Sequence, residues 1–405
     1  MPHIGMAVQN HADFCCCNLN KRSWKNNKQE IMFVHQRFSS SIFNNPTRKI
    51  IAAALDNNIK HPSCKVCWDH EETGAVSVRQ TLNERYGDLA PLPDQPRILI
   101  IKPGNTCNFA CRMCNPMTSS SWYSDGYEIE KAGLTSTSWY SDDHIGIEQS
   151  CQDAMSITTI NEYARSFEHI RNSFNRDNDE FWGMLKSWIK NLVFIDIYGG
   201  EPFLIPAMFD LLDYGVKIGA SKNIELGIST NASIFNDRYL DILGQYKKVE
   251  LYLSIDSMDA KQFEYIRYKS NFNSVIDNCK KIHETIKKYP SIETIITNTV
   301  TPLNVFYVDQ TMQQLADLFA VPAKVNIVTT PEYDIRHLPL PVKQYLIENI
   351  SKKVVVNFLK QTIPGCDVEW PKFCKTTDLL DKSRNQSFSE TFPEWWEKLK
   401  SHWVN

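Results

Sequence analysis

The chain has 405 residues, 42% hydrophobic and 22% charged, enough apolar content for a sizeable core and too much for intrinsic disorder. Lys and Arg total 44 against 47 Asp and Glu, and the net charge of −3 offers no basic footprint for a phosphate backbone, which speaks against a nucleic-acid binder. Apolar runs such as Ile98–Ile101 and Val354–Val356 fall far short of the roughly 20 residues of a membrane span. The opening Met1-Pro2-His3 also lacks a basic segment followed by an apolar one, so the reading is a cytoplasmic chain with no membrane association.

Three regions follow in chain order. Residues 1–96 carry two cysteine groups, a polar stretch over Asn18–Asn27 and a helix over Arg48–Asn58. They end in the linker Pro91-Leu-Pro-Asp-Gln-Pro96, extended because each proline biases its predecessor away from the α region. From Arg97 to residue 340, short β-type runs alternate with helical ones. The strands are expected at Arg97–Lys102, Val193–Tyr198, Ile224–Ser229, Val249–Ile255, Thr294–Val300 and Lys324–Val328. The helices between them include Ala207–Ile218, Asp237–Tyr246, Asn273–Lys288 and Tyr307–Phe319. Strands separated by helices make βαβ units and a parallel sheet, and six units fit an open, partial (β/α)6 TIM-like barrel.

The connection over residues 115–192 is far longer than a βα loop needs to be. It holds two near-copies of one phrase, Ser119-Ser-Ser-Trp122-Tyr123-Ser-Asp125 and Ser136-Thr-Ser-Trp139-Tyr140-Ser-Asp142. They read as a local duplication in a surface elaboration, or as an aromatic wall at a substrate entrance. Residues 341–405 form a C-terminal helical extension: a helix over Val342–Lys360, a polar stretch, and an amphipathic helix over Pro393–Leu399 that packs back.

Of the twelve cysteines, eight fall into three short groups: Cys15-Cys16-Cys17, Cys64/Cys67 and Cys107/Cys111/Cys114. Clustered thiols in a reducing compartment point to metal or iron–sulfur ligation, or to redox work. The spacing Cys107-x3-Cys111-x2-Cys114 comes directly after an apolar strand. Three thiolates on one loop suit three corners of a cubane [4Fe–4S] cluster and leave the fourth iron open to a substrate. A structural zinc site wants a fourth ligand nearby, and no Cys or His follows before His144.

The second strand ends in Tyr198-Gly199-Gly200-Glu201-Pro202. Beyond it come Gly227-Ile-Ser229-Thr230-Asn231, Leu253-Ser254-Ile-Asp256-Ser257, Arg267 and Asn298, most of them at strand C-termini. With the cysteine triplet, this layout resembles the radical S-adenosylmethionine (SAM) superfamily. The resemblance implies that Cys107, Cys111 and Cys114 hold a cluster whose open iron chelates SAM. An electron from the cluster then cleaves the sulfonium and gives a 5′-deoxyadenosyl radical that abstracts a substrate hydrogen. It also implies cosubstrate contacts at Gly199, Gly200 and Glu201 for the amino group, at Ser229 and Asn231 for ribose and carboxylate, at Arg267 steadied by Asp256 for the carboxylate, and at Asn298 with Val300 beside the adenine. Met113 stands where the family often has an aromatic residue, and a thioether can still cover a ring face.

Cys64-Lys-Val-Cys67-Trp68 opens the phrase Cys-x2-Cys-Trp-x2-Glu71-x2-Gly74-x2-Ser77-x-Arg79. A lone CxxC is ambiguous between zinc, redox chemistry and an iron–sulfur half-site. In the upstream trio Cys15 and Cys17 share a face of an extended segment, so they are the pair to match with Cys64 and Cys67. The phrase, with Leu380-Asp381-x2-Arg384 and Phe392-Pro393, resembles the twitch-domain (short SPASM-like) group of that superfamily. Its implication is a second, auxiliary cluster on Cys15, Cys17, Cys64 and Cys67, serving a net oxidation. Implied partners are a substrate that includes peptides among its candidates and a reductant such as flavodoxin or ferredoxin. Cys366 and Cys374, placed in a loop, are substitutes as ligands, whereas Cys151 and Cys279 read as core or boundary residues of helices. Two readings from other classes stand beside this one. A zinc-stabilised binding protein needs no catalysis, and an iron–sulfur electron carrier leaves the Gly-Gly-Glu turn, Ser229, Asn231 and Arg267 unexplained.

Overall fold

The computed structural model describes residues 5–9, 12–14, 46–72, 74, 76–92, 95–135, 159–167 and 179–404. Eight strands make one sheet: β1 Gly5–Gln9, β2 Ala12–Phe14, β3 Ile98–Lys102, β4 Phe194–Ile197, β5 Glu225–Thr230, β6 Lys248–Ser254, β7 Ile292–Val300 and β8 Ala323–Ile327. Their order is β2-β1-β3-β4-β5-β6-β7-β8. Every pairing is parallel except that of β1 with β2, and the sheet is open, with β2 and β8 at its edges. The six parallel strands β3–β8 lie within two residues of the six expected ones. Helices cross between them, among them Pro206–Lys217, Asp237–Leu243, Phe272–Thr285 and Val308–Phe319.

The two faces of the sheet are filled differently. Toward the helices, alternate residues Leu99, Ile101, Ile195, Ile197, Leu226, Ile228, Val249, Leu251 and Leu253 form the main core. On the concave face, Ile98, Ile100 and Phe194 pack instead against Leu82 and Tyr86. Those two side chains belong to the Val78–Tyr86 helix, started by a capping box between Ser77 and Gln80. This helix closes the floor of the partial barrel. Arg85 pairs with Glu225 at 2.8 Å and Glu250 at 3.3 Å, and the Tyr86 hydroxyl donates to Glu225 at 2.7 Å. The N-terminal region thus contributes to the barrel twice, as floor and, through β1, as an added strand beside β3.

The C-terminal region departs from expectation in two places. The helix expected over Val342–Lys360 is two helices, Leu340–Asn349 and Lys353–Lys360, because Ile350 is extended and the Ser351 amide bonds to Asp309 Oδ2 at 2.5 Å. The following polar stretch is a 19-residue helix, Cys366–Arg384, which contains Pro371 and buries Trp370, Phe373, Cys374, Thr377 and Leu380. Cys366 and Cys374 are therefore helical rather than in a loop. The Pro393–Leu399 helix is as expected: Trp395 is fully buried and donates to the Pro302 carbonyl at 2.8 Å. Among the described residues no helix is long and apolar enough to cross a membrane.

Candidate active site

The cysteine loop leaves the C-terminal end of β3, where open α/β sheets present their ligand-binding loops. Backbone bonds from two directions hold it. Ala110 N donates to the Tyr268 carbonyl at 2.9 Å and Arg112 N to the Ile266 carbonyl at 2.7 Å. From the other side, Ser119 Oγ bonds the Phe109 carbonyl at 2.6 Å, Ser121 Oγ the Cys107 carbonyl at 2.9 Å and Trp122 Nε1 the Cys111 carbonyl at 2.7 Å. The first copy of the repeated phrase is therefore packed beneath the loop, with Trp122 fully buried, and is neither surface elaboration nor entrance wall. The second copy, residues 136–142, lies outside the described residues, as does Cys151.

The three thiols converge. Cys111 donates to Cys114, which lowers the pKa of Cys114 and raises that of Cys111 well above the usual thiol range. Burial, with Cys111 beside it, pushes Cys107 up to about 12. Asn231 Nδ2 lies 3.8 Å from Cys107 Sγ and Arg267 Nη1 4.0 Å from Cys111 Sγ. Three thiols so close together, Cys111 buried and the other two half-buried, cannot all ionise without added positive charge, and a bound cluster would supply it. Around a single zinc ion thiolate sulfurs lie only about 3.8 Å apart. Among the described residues no three His, Cys, Asp or Glu side chains gather as the ligands of one ion. The fit to a cluster rests on the donor set, three thiols on one loop with Asn231 and Arg267 beside them.

Around it stand most of the sequence-expected contacts. Gly199 and Gly200 have φ of 90° and 56°, and a Cβ on Gly200 would stand 2.5 Å from the Thr106 carbonyl of the cysteine loop. Gly200 is thus required by packing against that loop, whereas a Cβ on Gly199 would meet the Lys102 side chain at the end of β3. Glu201 is fully buried and its carboxylate is occupied: Oε1 accepts from Phe203 N at 3.1 Å and Thr230 Oγ1 at 2.7 Å, and Oε2 from Asn231 N at 2.7 Å. Burial raises its pKa in spite of these donors. Asp256 Oδ1 accepts from Thr299 N at 2.8 Å, while Oδ2 lies 2.8 Å from Arg267 Nε in an ion pair bent away from hydrogen-bond geometry. Burial alone would lower the pKa of Arg267, but Asp256 and Cys111 hold it above its ordinary value. Asn298 donates to the Ile255 carbonyl at 3.1 Å, and its Oδ1 is buried without a partner. Ser229 lies on the concave face of β5 and stays partly accessible.

Cys64, just before the Lys65–Glu72 helix, and Cys67, in its first turn, are both buried. The rest of their phrase folds into one knot. Glu71 accepts from Ser77 Oγ at 2.5 Å and from Arg79 at 3.0 and 2.6 Å, and the Arg79 guanidinium lies 4.5 Å from the centre of the Trp68 ring. His70, on the same helix, meets the Phe358 ring edge-on. Cys15 and Cys17 lie outside the described residues. Sequence reasoning gives no role to Arg112 and reads Ser119–Ser121 and Asp125 only as part of the repeated phrase, whereas Ser119 and Ser121 hold the cysteine loop and Asp125 pairs with Arg384.

An open parallel α/β barrel with three convergent cysteines after its first barrel strand defines a class of cluster-binding enzymes. The family model described as Radical SAM superfamily matches residues 101–315, and the chain belongs to that superfamily. A curated relative, GTP 3′,8-cyclase of Synechocystis sp., is 32% identical over 84 residues, 21% of this chain and 24% of that protein. The chain thus spans about a quarter of that relative's length. Streptococcus suis SuiB bound to S-adenosylmethionine aligns at 14% identity over 71% of this chain and 54% of its own, with a TM-score of 0.32. Native anSMEcpe with bound AdoMet aligns at 16% identity over 62% of this chain and 59% of its own, with a TM-score of 0.36.

Proposed function

We propose that Cys107, Cys111 and Cys114 hold a [4Fe–4S] cluster and that SAM binds across the strand C-termini beside it. The cluster, when bound, supplies the electron that splits the SAM sulfonium into methionine and a 5′-deoxyadenosyl radical able to take a hydrogen atom from a substrate. The protein's part is binding and orientation. With both Glu201 oxygens engaged, the main chain of Gly199 and Gly200 is what remains of that turn to accept from the SAM ammonium. Arg267, aimed by Asp256, offers its guanidinium to the carboxylate. Asn231 and Ser229 would bond the ribose and carboxylate, and Asn298 would stand beside the adenine. The observation that carries the reading is the approach of Arg267 and Asn231 to two of the three sulfurs. Anaerobically reconstituted protein given dithionite and SAM should release 5′-deoxyadenosine, and Cys107→Ala, Cys111→Ala and Cys114→Ala should each abolish it. Release undiminished in those variants would overturn the reading.

The finer reading is a twitch-type enzyme, with Cys64 and Cys67 joined by Cys15 and Cys17 in an auxiliary cluster, flavodoxin or ferredoxin as reductant, and a peptide or protein side chain as substrate. The burial of Cys64 and Cys67 one helical turn apart supports the half of that ligand set within the described residues. Iron analysis is its test: Cys64→Ala/Cys67→Ala protein should lose about four iron per chain relative to wild type. Zinc in place of that iron would assign the site to a structural ion.

A further inference from the structure

The concave face of the barrel is not filled as its helix-facing side is. Asp196, Ser229, Tyr252, Ser254 and Thr297 all keep accessible surface, while the strand residues between them are buried. They lie on one face of the sheet, between the cysteine loop and the floor helix. Asp196 lies in one row with Gly227 and Glu250 across β4, β5 and β6. A Cβ on Gly227 would stand 2.7 Å from Asp196 Oδ1, so the carboxylate lies over this glycine because it has no side chain.

Four carboxylates face this side of the lower barrel, and three are matched. Glu225 pairs with Arg85 and Lys247, Glu250 with Arg85 and Lys248, and Glu293 with Lys248. Tyr86 donates to Glu225 and Tyr252 to Glu250. Lys324, at the upper rim, lies 5.3 Å from the Tyr252 ring centre, and Lys102 runs alongside Gly199. Among the described residues Asp196 enters none of these ion pairs. Burial, reinforced by Glu250 and only partly offset by Arg85, pushes its pKa up to about 7. Three residues below Gly199, it sits roughly 10 Å beneath the mouth of the barrel. A deep carboxylate without a counter-ion weakens a fold, and such groups cluster where ligands bind.

We propose that Asp196 receives a protonated amine or guanidinium of the substrate, so that a cationic side chain reaches down the concave face with its carbon chain passing the cosubstrate. This rests on the radical SAM reading above and names a substrate class within it. The incoming cation displaces the proton that Asp196 carries, so binding strengthens as pH rises through 7 and releases a proton to the buffer.

The test is calorimetric titration of reconstituted holoenzyme, with SAM present, at pH 6 and pH 8. The probes are Nα-acetyl-lysine N-methylamide and the corresponding derivative of 2-aminoheptanoic acid, its isostere with a methyl group in place of the ammonium. The lysine compound should bind about tenfold or more tighter than the isostere at pH 8, and lose most of that margin at pH 6. Asp196→Asn should remove the margin. Gly227→Ala, which keeps the carboxylate but crowds it, should reduce it and serves if Asp196→Asn does not fold. Equal affinities of the two probes for wild type, or an unchanged margin in a variant with wild-type iron content and melting temperature, would overturn the proposal. Assay of 5′-deoxyadenosine in the same wild-type sample separates this outcome from failure of the enzymatic reading itself.

Discussion

Arg112, between the second and third cysteines of the triplet, donates to Asp381 Oδ1 at 2.5 Å across 269 residues of sequence. Its guanidinium also lies 3.6 Å from the centre of the Tyr265 ring, and the Tyr265 hydroxyl donates to the same carboxylate oxygen at 2.7 Å. Asp381 Oδ2 accepts from Phe388 N at 2.6 Å. Three residues on, Arg384 pairs with Asp125 at 2.9 Å, and its guanidinium lies 5.0 Å from the Trp122 ring centre. The end of the Cys366–Arg384 helix is thereby fastened to the cysteine loop at one point and to the segment beneath that loop at another.

Removing Asp381 leaves a guanidinium that is 1% exposed without a counter-charge. Asp381→Ala should therefore cost about 3–5 kcal/mol in urea or thermal unfolding, the range for breaking a buried pair from one side. Asp381→Asn keeps acceptor capacity and should cost less. In both, iron retained after reconstitution should fall with the loss of stability, because the carboxylate holds the cysteine loop through Arg112. An Asp381→Ala protein that melts like wild type would show that the pair is ornamental.

Arg267 is tested by the contrast between charge and shape. Lysine keeps the charge but not the planar fork, so it cannot reach Asp256 and a cosubstrate carboxylate together. Arg267→Lys should raise the KM for SAM in 5′-deoxyadenosine formation about tenfold or more, with a smaller effect on kcat. An unchanged KM would remove Arg267 from the SAM contacts.

The parts of this architecture legible in the sequence are those written contiguously. Cys107, Cys111 and Cys114 share one loop, and each barrel strand carries its own β-type run, so both can be read locally. The Cys366–Arg384 helix is hidden by Pro371 and polar neighbours. Yet Trp370, Phe373, Cys374, Thr377 and Leu380 recur at helical spacing, and their burial against the barrel overrides the proline. β1 escapes sequence reading because a five-residue strand has meaning only beside its partner Ile98–Lys102, far along the chain. Ser119, Ser121 and Trp122 escape it for a similar reason: nothing local announces that carbonyls of the cysteine loop need donors. Asp381 and Arg384 stand out as part of a phrase, but their partners Arg112 and Asp125 emerge only in three dimensions.

The floor network predicts an acid-sensitive contribution to stability. Glu225 is partly desolvated, but Lys247, Tyr86 and Arg85 hold its pKa down to about 2. A carboxylate depressed on folding stabilises the fold above its unfolded pKa, and that stabilisation is lost as pH falls through the folded value. Arg85→Ala should cost about 1–2 kcal/mol near pH 7, allowing for solvent screening of a partly accessible pair. The difference from wild type should shrink between pH 4 and pH 2. A deficit independent of pH would mean that Arg85 acts by packing against Tyr86 and Phe194, with whose ring centres it lies within 5.5 and 5.4 Å.

Asp196 carries the opposite sign. Its carboxyl is pushed up to about 7 from 3.8, so between these values the folded chain holds a proton that the unfolded chain has released. Its contribution to stability is full below the unfolded pKa and declines as pH rises through about 7. An amide at this position cannot ionise. Asp196→Asn should therefore match wild type near pH 4 and exceed it by about 2 kcal/mol at pH 8, where wild type must keep a charged carboxylate beside Glu250. Urea unfolding of both proteins across this range, without SAM or any amine, measures the crossover. Because no ligand is involved, the experiment separates the electrostatic cost of Asp196 from its proposed use. Parallel curves for the two proteins would mean that the carboxylate titrates normally, and the cationic-substrate proposal would then lose its pH dependence.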